Sequence, residues 1–134
     1  MNYDQDVLKF CDSATQVEKR EAIAIFSRWR ETFSHHDRLR FSGRFVRSTM
    51  AFQKFSAKDP EEFYALFEYE HQKIPIIYHC LGLHTDALPL AGRDIAIVDF
   101  KGGWSMVFYH EDASLTDGPY YYEITEQAVP PDRR

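Results

Sequence analysis

Two apolar runs joined by Lys101-Gly102-Gly103 constrain this chain more than any other feature. Asp94-Ile95-Ala96-Ile97-Val98-Asp99-Phe100 and Trp104-Ser105-Met106-Val107-Phe108-Tyr109-His110 are β-branched and aromatic, and the glycines between them allow the positive φ of a tight hairpin. Ile74-Pro75-Ile76-Ile77-Tyr78-His79-Cys80-Leu81 reads as an earlier strand, with Pro75 at its start, where a missing N–H is tolerated. Pro119-Tyr120-Tyr121-Tyr122-Glu123-Ile124 can add a fourth. Residues 82–93, with Gly82, Pro89 and Gly92, are expected to form a loop, as are Glu111 to Gly118.

The first half follows a different period. Thr15-x-x-Glu18 and Ser13-x-x-Gln16 have the form of a capping box. Ala22, Ile25, Phe26, Trp29 and Phe33 then fall on one side of a helix over 15–33, with Lys19, Arg20, Glu21, Arg28 and Arg30 on a solvated face. A short helix is expected over 4–12, with Val7, Leu8 and Cys11 facing one way, and another over 44–55 after the break at Gly43. Asp59-Pro60-Glu61-Glu62 resembles a helix start, and Phe63, Leu66 and Phe67 would face the core of a helix that ends before Pro75. The predicted architecture is α+β, with N-terminal helices over about 4–71 packed on a C-terminal antiparallel sheet of three to four strands over about 74–124. Residues 125–134 form a tail. With 134 residues and 44% hydrophobic composition, one domain with a packed core is expected.

Charge divides the chain. Residues 35–58 carry six bases against Asp37, a balance of +5, whereas residues 59–132 carry fourteen acids against Lys73, Arg93 and Lys101, a balance of -11. An acidic half repels phosphates and attracts basic surfaces, so a basic protein suits it better than nucleic acid. Arg38, Arg40, Arg44 and Arg47 could contact phosphates, but the phenylalanines among them are better accounted for as core. No membrane span is visible, and Asp4 and Asp6 stand where a signal peptide needs bases, so a cytoplasmic protein is expected. Cys11 and Cys80 are too few for a disulfide scaffold and read as reduced thiols.

Chemical constellations are weak. His79, His84, Asp86, Asp99, His110, Glu111 and Asp112 fall in one half of the chain, but their spacing matches no metal motif, and histidines hydrogen-bonded at strand ends explain them better. His35-His36-Asp37 suits a turn, since neighbours on a helix share no face. Gly-x-Ser-x-Gly is absent, and Gly102-Gly103 precedes a strand rather than a helix, so it is no phosphate loop. No catalytic residue, cofactor or metal is therefore assigned. A small metal-dependent or acid–base enzyme using His79, Asp99 and His110 is the alternative.

Ile95-Ala96-Ile97-Val98-Asp99, Trp104-Ser105-Met106-Val107-Phe108, His110-Glu111-Asp112 and Gly118-Pro119-Tyr120-Tyr121-Tyr122 together resemble the C-terminal signature of a family of small, largely uncharacterised bacterial proteins. That signature runs Val-Asp, a tryptophan strand, His-Glu, and Gly-Pro-Tyr followed by Phe or Tyr. The match spans about 60–124, and the Glu111–Gly118 loop is longer than the family's tighter pattern. In size and style the chain is similar to the immunity proteins that bacteria make against polymorphic or contact-dependent toxins. The resemblance implies a cytosolic, non-enzymatic inhibitor whose partner is a cognate toxin domain, and the -11 balance of residues 59–132 suits a nuclease, whose active-site cleft is basic because it holds phosphates. On that reading Asp86, Glu111, Asp112, Asp117, Tyr120 and Glu123 form an acidic, aromatic contact surface, with the acids steering encounter and tyrosine as an anchor.

Overall fold

Stretches that are apolar without alternation need cover on both sides, and the fold provides it. A computed structural model describes residues 3–33, 44–58, 61–69, 73–88, 93–109 and 118–124. Seven strands form one sheet: β1 (Cys11–Gln16), β2 (Arg44–Arg47), β3 (Glu62–Phe67), β4 (Ile76–Leu83), β5 (Ile95–Asp99), β6 (Trp104–Phe108) and β7 (Tyr120–Glu123). Their spatial order is β1-β4-β3-β5-β6-β7-β2, and every pairing is antiparallel.

Helix α2 (Lys19–Phe33) lies on one face, through Ala22, Ile25, Phe26, Trp29 and Phe33. Against the other face pack α3 (Ser48–Ser56), through Ala51 and Phe55, and the N-terminal segment with α1 (Asp4–Val7), through Tyr3, Val7 and Phe10. Alternate residues of each inner strand therefore enter two different cores. In β3, Phe63, Ala65 and Phe67 join α3, while Tyr64 and Leu66 join α2. Each buried aromatic of this kind contributes roughly 1.5–3 kcal/mol through loss of water contact.

The expectation of N-terminal helices on a sheet of three to four strands is overturned, because the sheet has seven strands and recruits three segments from the first half. Residues 62–67 are the inner strand β3, paired on both sides, not a helix. Covered on both faces, it has no polar–apolar alternation, and Phe63, Leu66 and Phe67 coincide with helical spacing. Residues 11–16 form edge strand β1, so the apparent capping boxes lie at a strand end, and α2 begins only at Lys19. The expected helix over 44–55 is a four-residue strand followed by α3. The four strands read from the second half are all present. Asp59-Pro60, His35-His36-Asp37 and the tail lie outside the described residues. No helix among the described residues is long and apolar enough to cross a membrane.

The N-terminal segment is held by chemistry as well as packing. Tyr3 stacks on Phe67 with ring centroids 4.5 Å apart, and its backbone N–H donates to the Tyr78 hydroxyl at 3.0 Å. That hydroxyl in turn donates to the Asp4 carboxylate. Arg93 Nε donates to Asp6 Oδ2 at 3.1 Å, and its guanidinium lies 3.7 Å from Glu68 Oε1. Burial, followed by the hydrogen bond to Asp4, pushes the Tyr78 phenol up to about 12. Unfolded tyrosine titrates near pH 10. Between about pH 10 and 12 the folded chain thus holds a proton that the unfolded chain has lost, and stability falls as pH rises through that window. Thermal melts from pH 9 to 12 are expected to show this fall, and Tyr78→Phe is expected to flatten it. An equally steep decline in the variant would contradict the assignment.

Candidate functional site

The α2 side of the sheet is built in three rows of side chains that run across the strands. Leu66, Ile77, Ala96, Val107 and Tyr120 form the first row, by their pairing register. Tyr64, His79, Val98, Ser105 and Tyr122 form the second. Glu62 and Leu81 pair in the third, and Phe100 continues it from the end of β5. Helix α2 covers the first row and part of the second. Trp29 Nε1 donates to Ser105 Oγ at 2.9 Å, and Phe33 packs 6.3 Å from Tyr122 between ring centroids. Among the described residues no helix lies above the third row, and there Leu81 is 45% and Phe100 42% exposed.

Between α2 and the turn that joins β5 to β6 lies a groove of about 550 Å³. Its floor is Tyr64 and Val98. One wall is the helix stripe Ile25, Arg28, Trp29, Thr32 and Phe33, the other the turn Phe100 to Gly103. The turn is fixed by its own acid: Gly102 N–H donates to Asp99 O at 2.8 Å, and Gly103 N–H to Asp99 Oδ2 at 3.2 Å. Gly102 takes φ +78°, the left-handed conformation that makes glycine the suitable residue there.

Beside the groove, Tyr64, His79 and Phe100 form a ring cluster with centroids 5.3–5.7 Å apart. His79 Nε2 lies 2.6 Å from Glu62 Oε2, a half-exposed pair. Burial raises the Tyr64 phenol above its ordinary value, the Glu21 charge adds to this, and the Arg28 guanidinium opposes it. Glu21 and Arg28 therefore act on the groove floor with opposite signs. Leu81 stays on this face while Leu83 turns to the α3 core, because Gly82 between them takes φ +74° and reverses the alternation.

Of the six residues read from sequence as a contact surface, Asp86, Tyr120 and Glu123 lie among the described residues, and these three do not share one exposed surface. Asp86 lies on the short 3-10 turn Thr85–Ala87, which packs near α3, and is exposed. Glu123 ends β7, beside the edge strand β2; it lies 3.4 Å from Lys58 Nζ and accepts from the Tyr121 hydroxyl at 3.0 Å. Tyr120 is buried on the α2 side, stacked on Phe45. Strand alternation would turn one side of the Tyr120–Tyr122 run outward, but the sheet is covered on both faces and all three tyrosines are buried. Glu111, Asp112 and Asp117 lie outside the described residues.

Two of the three residues of the alternative enzyme site lie among the described residues. His79 pairs with Glu62 and Asp99 with the Gly103 amide, while His110 lies outside the described residues. Among the described residues, no group of three or more His, Cys, Asp and Glu side chains could hold a metal ion. Cys11 and Cys80 are buried free thiols, and the hydrogen bond with Cys11, followed by burial, pushes the Cys80 thiol up.

Sequence reasoning passed over Arg28, Tyr64, Leu81, Phe100 and Lys101. The usable signal was Phe100, an aromatic placed directly before a Lys-Gly-Gly turn, where strand ends are open to solvent. No family model matches the chain, and no curated protein or solved structure matches it.

Proposed function

We propose that this chain is a protein-binding inhibitor of the immunity type, which docks a toxin domain on the uncovered third row of its sheet. The observation that carries this reading is the exposure of Phe100 and Leu81 on one face, beside a groove and the His79–Tyr64 rings. Two large apolar side chains so placed lose water contact together when a partner arrives, and a central aromatic with a polar rim is the usual form of a binding hot spot. Arg28, Glu31, Glu62 and Lys101 supply that rim and select among partners through charge.

This reading shifts the contact away from the acidic C-terminal surface. Glu62, Glu68 and Glu123 each have a cationic or histidine partner within the chain, and Asp99 holds its own turn. The net charge of -5 still favours encounter with a basic domain over a distance of about one Debye length, near 8–10 Å in physiological salt.

The test is binding to the product of the neighbouring gene, taken as the candidate toxin, and relief of its toxicity. Wild-type protein is expected to abolish toxicity at stoichiometric amounts. Phe100→Ala with Leu81→Ser is expected to weaken binding by about 30-fold or more, in keeping with loss of a hot-spot anchor, while circular dichroism stays unchanged. Full toxin activity in the presence of saturating wild-type protein would refute the reading.

A further inference from the structure

The groove has a chemistry of its own. A volume of about 550 Å³ lies within the range of sites for small organic ligands, roughly 300–1,000 Å³. Tyr64 and Val98 give it an apolar floor, and Phe100 a partly exposed aromatic wall. Arg28 on the helix wall and Lys101 on the turn wall bring two positive charges to it. No ion pair joins either of them to another described residue. Two acids, Glu31 and Asp99, line the groove as well, so its formal charge sums to zero; Asp99 Oδ2 is turned to the Gly103 amide, and neither acid forms an ion pair with Arg28 or Lys101.

A negative group entering here meets a guanidinium and an ammonium without displacing an internal partner, and guanidinium offers a planar fork that fits a carboxylate. A flat ring finds Tyr64 below it and Phe100 beside it, where offset or edge contacts are favoured. We propose that this groove binds a small aromatic carboxylate, with its ring on Tyr64 and Val98 against Phe100 and its carboxylate between Arg28 and Lys101. The proposal needs no partner protein. Leu81 lies outside the groove, so Leu81→Ser separates the two readings by weakening the toxin contact while leaving ligand binding intact.

The experiment is titration of the uniformly ¹⁵N-labelled full chain with 2-naphthoate and with its neutral analogue 2-naphthamide. Naphthoate is expected to shift the amide signals of Phe100, Gly102, Gly103 and the Arg28–Phe33 segment, and to bind at least tenfold more tightly than the amide. Arg28→Gln with Lys101→Gln is expected to erase that tenfold preference without moving the melting temperature, since both side chains are exposed and take part in no ion pair. Equal binding of acid and amide would overturn the proposal. So would shifts confined to other regions, or a preference that survives the double variant. Concentration-dependent shifts of the same amides without ligand would identify a second copy of the chain as the occupant and overturn it as well.

Discussion

Trp29→Ala is expected to lower the unfolding free energy by about 3–5 kcal/mol, the range for removing a buried large aromatic. Trp29 sits in the middle of the α2 stripe and is 4% exposed. Its ring meets Tyr69 edge-on at 5.1 Å and stacks near Phe26 at 6.1 Å. Its indole N–H donates to Ser105 Oγ, and that hydroxyl donates to Ile97 O at 3.1 Å. The alanine variant loses the packing and leaves a cavity under the only helix on that face among the described residues. Trp29→Phe keeps most of the packing and forfeits the hydrogen bond, at a cost of about 1–2 kcal/mol. Ser105→Ala strands a buried indole N–H and is expected to cost about 1–3 kcal/mol. Urea unfolding with an unchanged slope is the appropriate measurement. A loss below about 1 kcal/mol for Trp29→Ala would mean that α2 is not docked as described.

The stripe containing Trp29 was legible in the sequence because its other face is solvated. Ala22, Ile25, Phe26, Trp29 and Phe33 stand out against Arg28 and Arg30 at helical spacing, and all five are buried. The hairpin of β5 and β6 was legible for a similar reason, since two glycines punctuate a pair of β-branched runs. Three strands were hidden. Edge strand β1 has little buried surface, so Cys11-Asp12-Ser13-Ala14-Thr15-Gln16 presents short polar residues that also suit a helix cap. Its partner β4 reverses alternation at Gly82, which removes the period-2 signal from the paired end. Strand β2 has four residues and merges with the apolar stretch that becomes α3.

The candidate site was less legible than the fold, because charge was summed where pairing decides. Residues 59–132 carry many acids, yet the partners of Glu68 and Glu123 are Arg93 and Lys58, one in the same segment and one upstream of it. No local pattern reveals such pairings. Arg28 looked like one more residue of a solvated helix face, and only the return of the β5–β6 turn beside α2 makes it a groove wall. Phe100 and Lys101 looked like the end of a strand and the start of a turn, and that reading is correct locally. What sequence cannot supply is the position of that turn relative to a helix about seventy residues earlier in the chain.

Ala65→Glu is expected to destabilise the protein by more than about 4 kcal/mol, enough to unfold a domain of ordinary stability. Ala65 is fully buried in the α3-side core, and it pairs with Tyr78 on β4 and Ile97 on β5. A carboxylate there would stand among the apolar side chains of that core, so its burial is uncompensated. The same substitution separates the strand from the helix that the local sequence imitates. In a helix with Phe63, Leu66 and Phe67 turned inward, a step of about 100° per residue places position 65 on the opposite, solvent-facing side. Glutamate is a good helix former, and on such a surface it would alter stability by no more than about 0.5 kcal/mol. Ala65→Leu supplies an uncharged control: overpacking is expected to cost about 1–3 kcal/mol in the strand, and almost nothing on an exposed helix face. Cooperative urea unfolding of Ala65→Glu within about 1 kcal/mol of the parent would therefore remove β3 from the interior of the sheet. With it would go the three-row surface on which both binding readings stand, because Glu62 and Tyr64 hold their places in those rows only through β3.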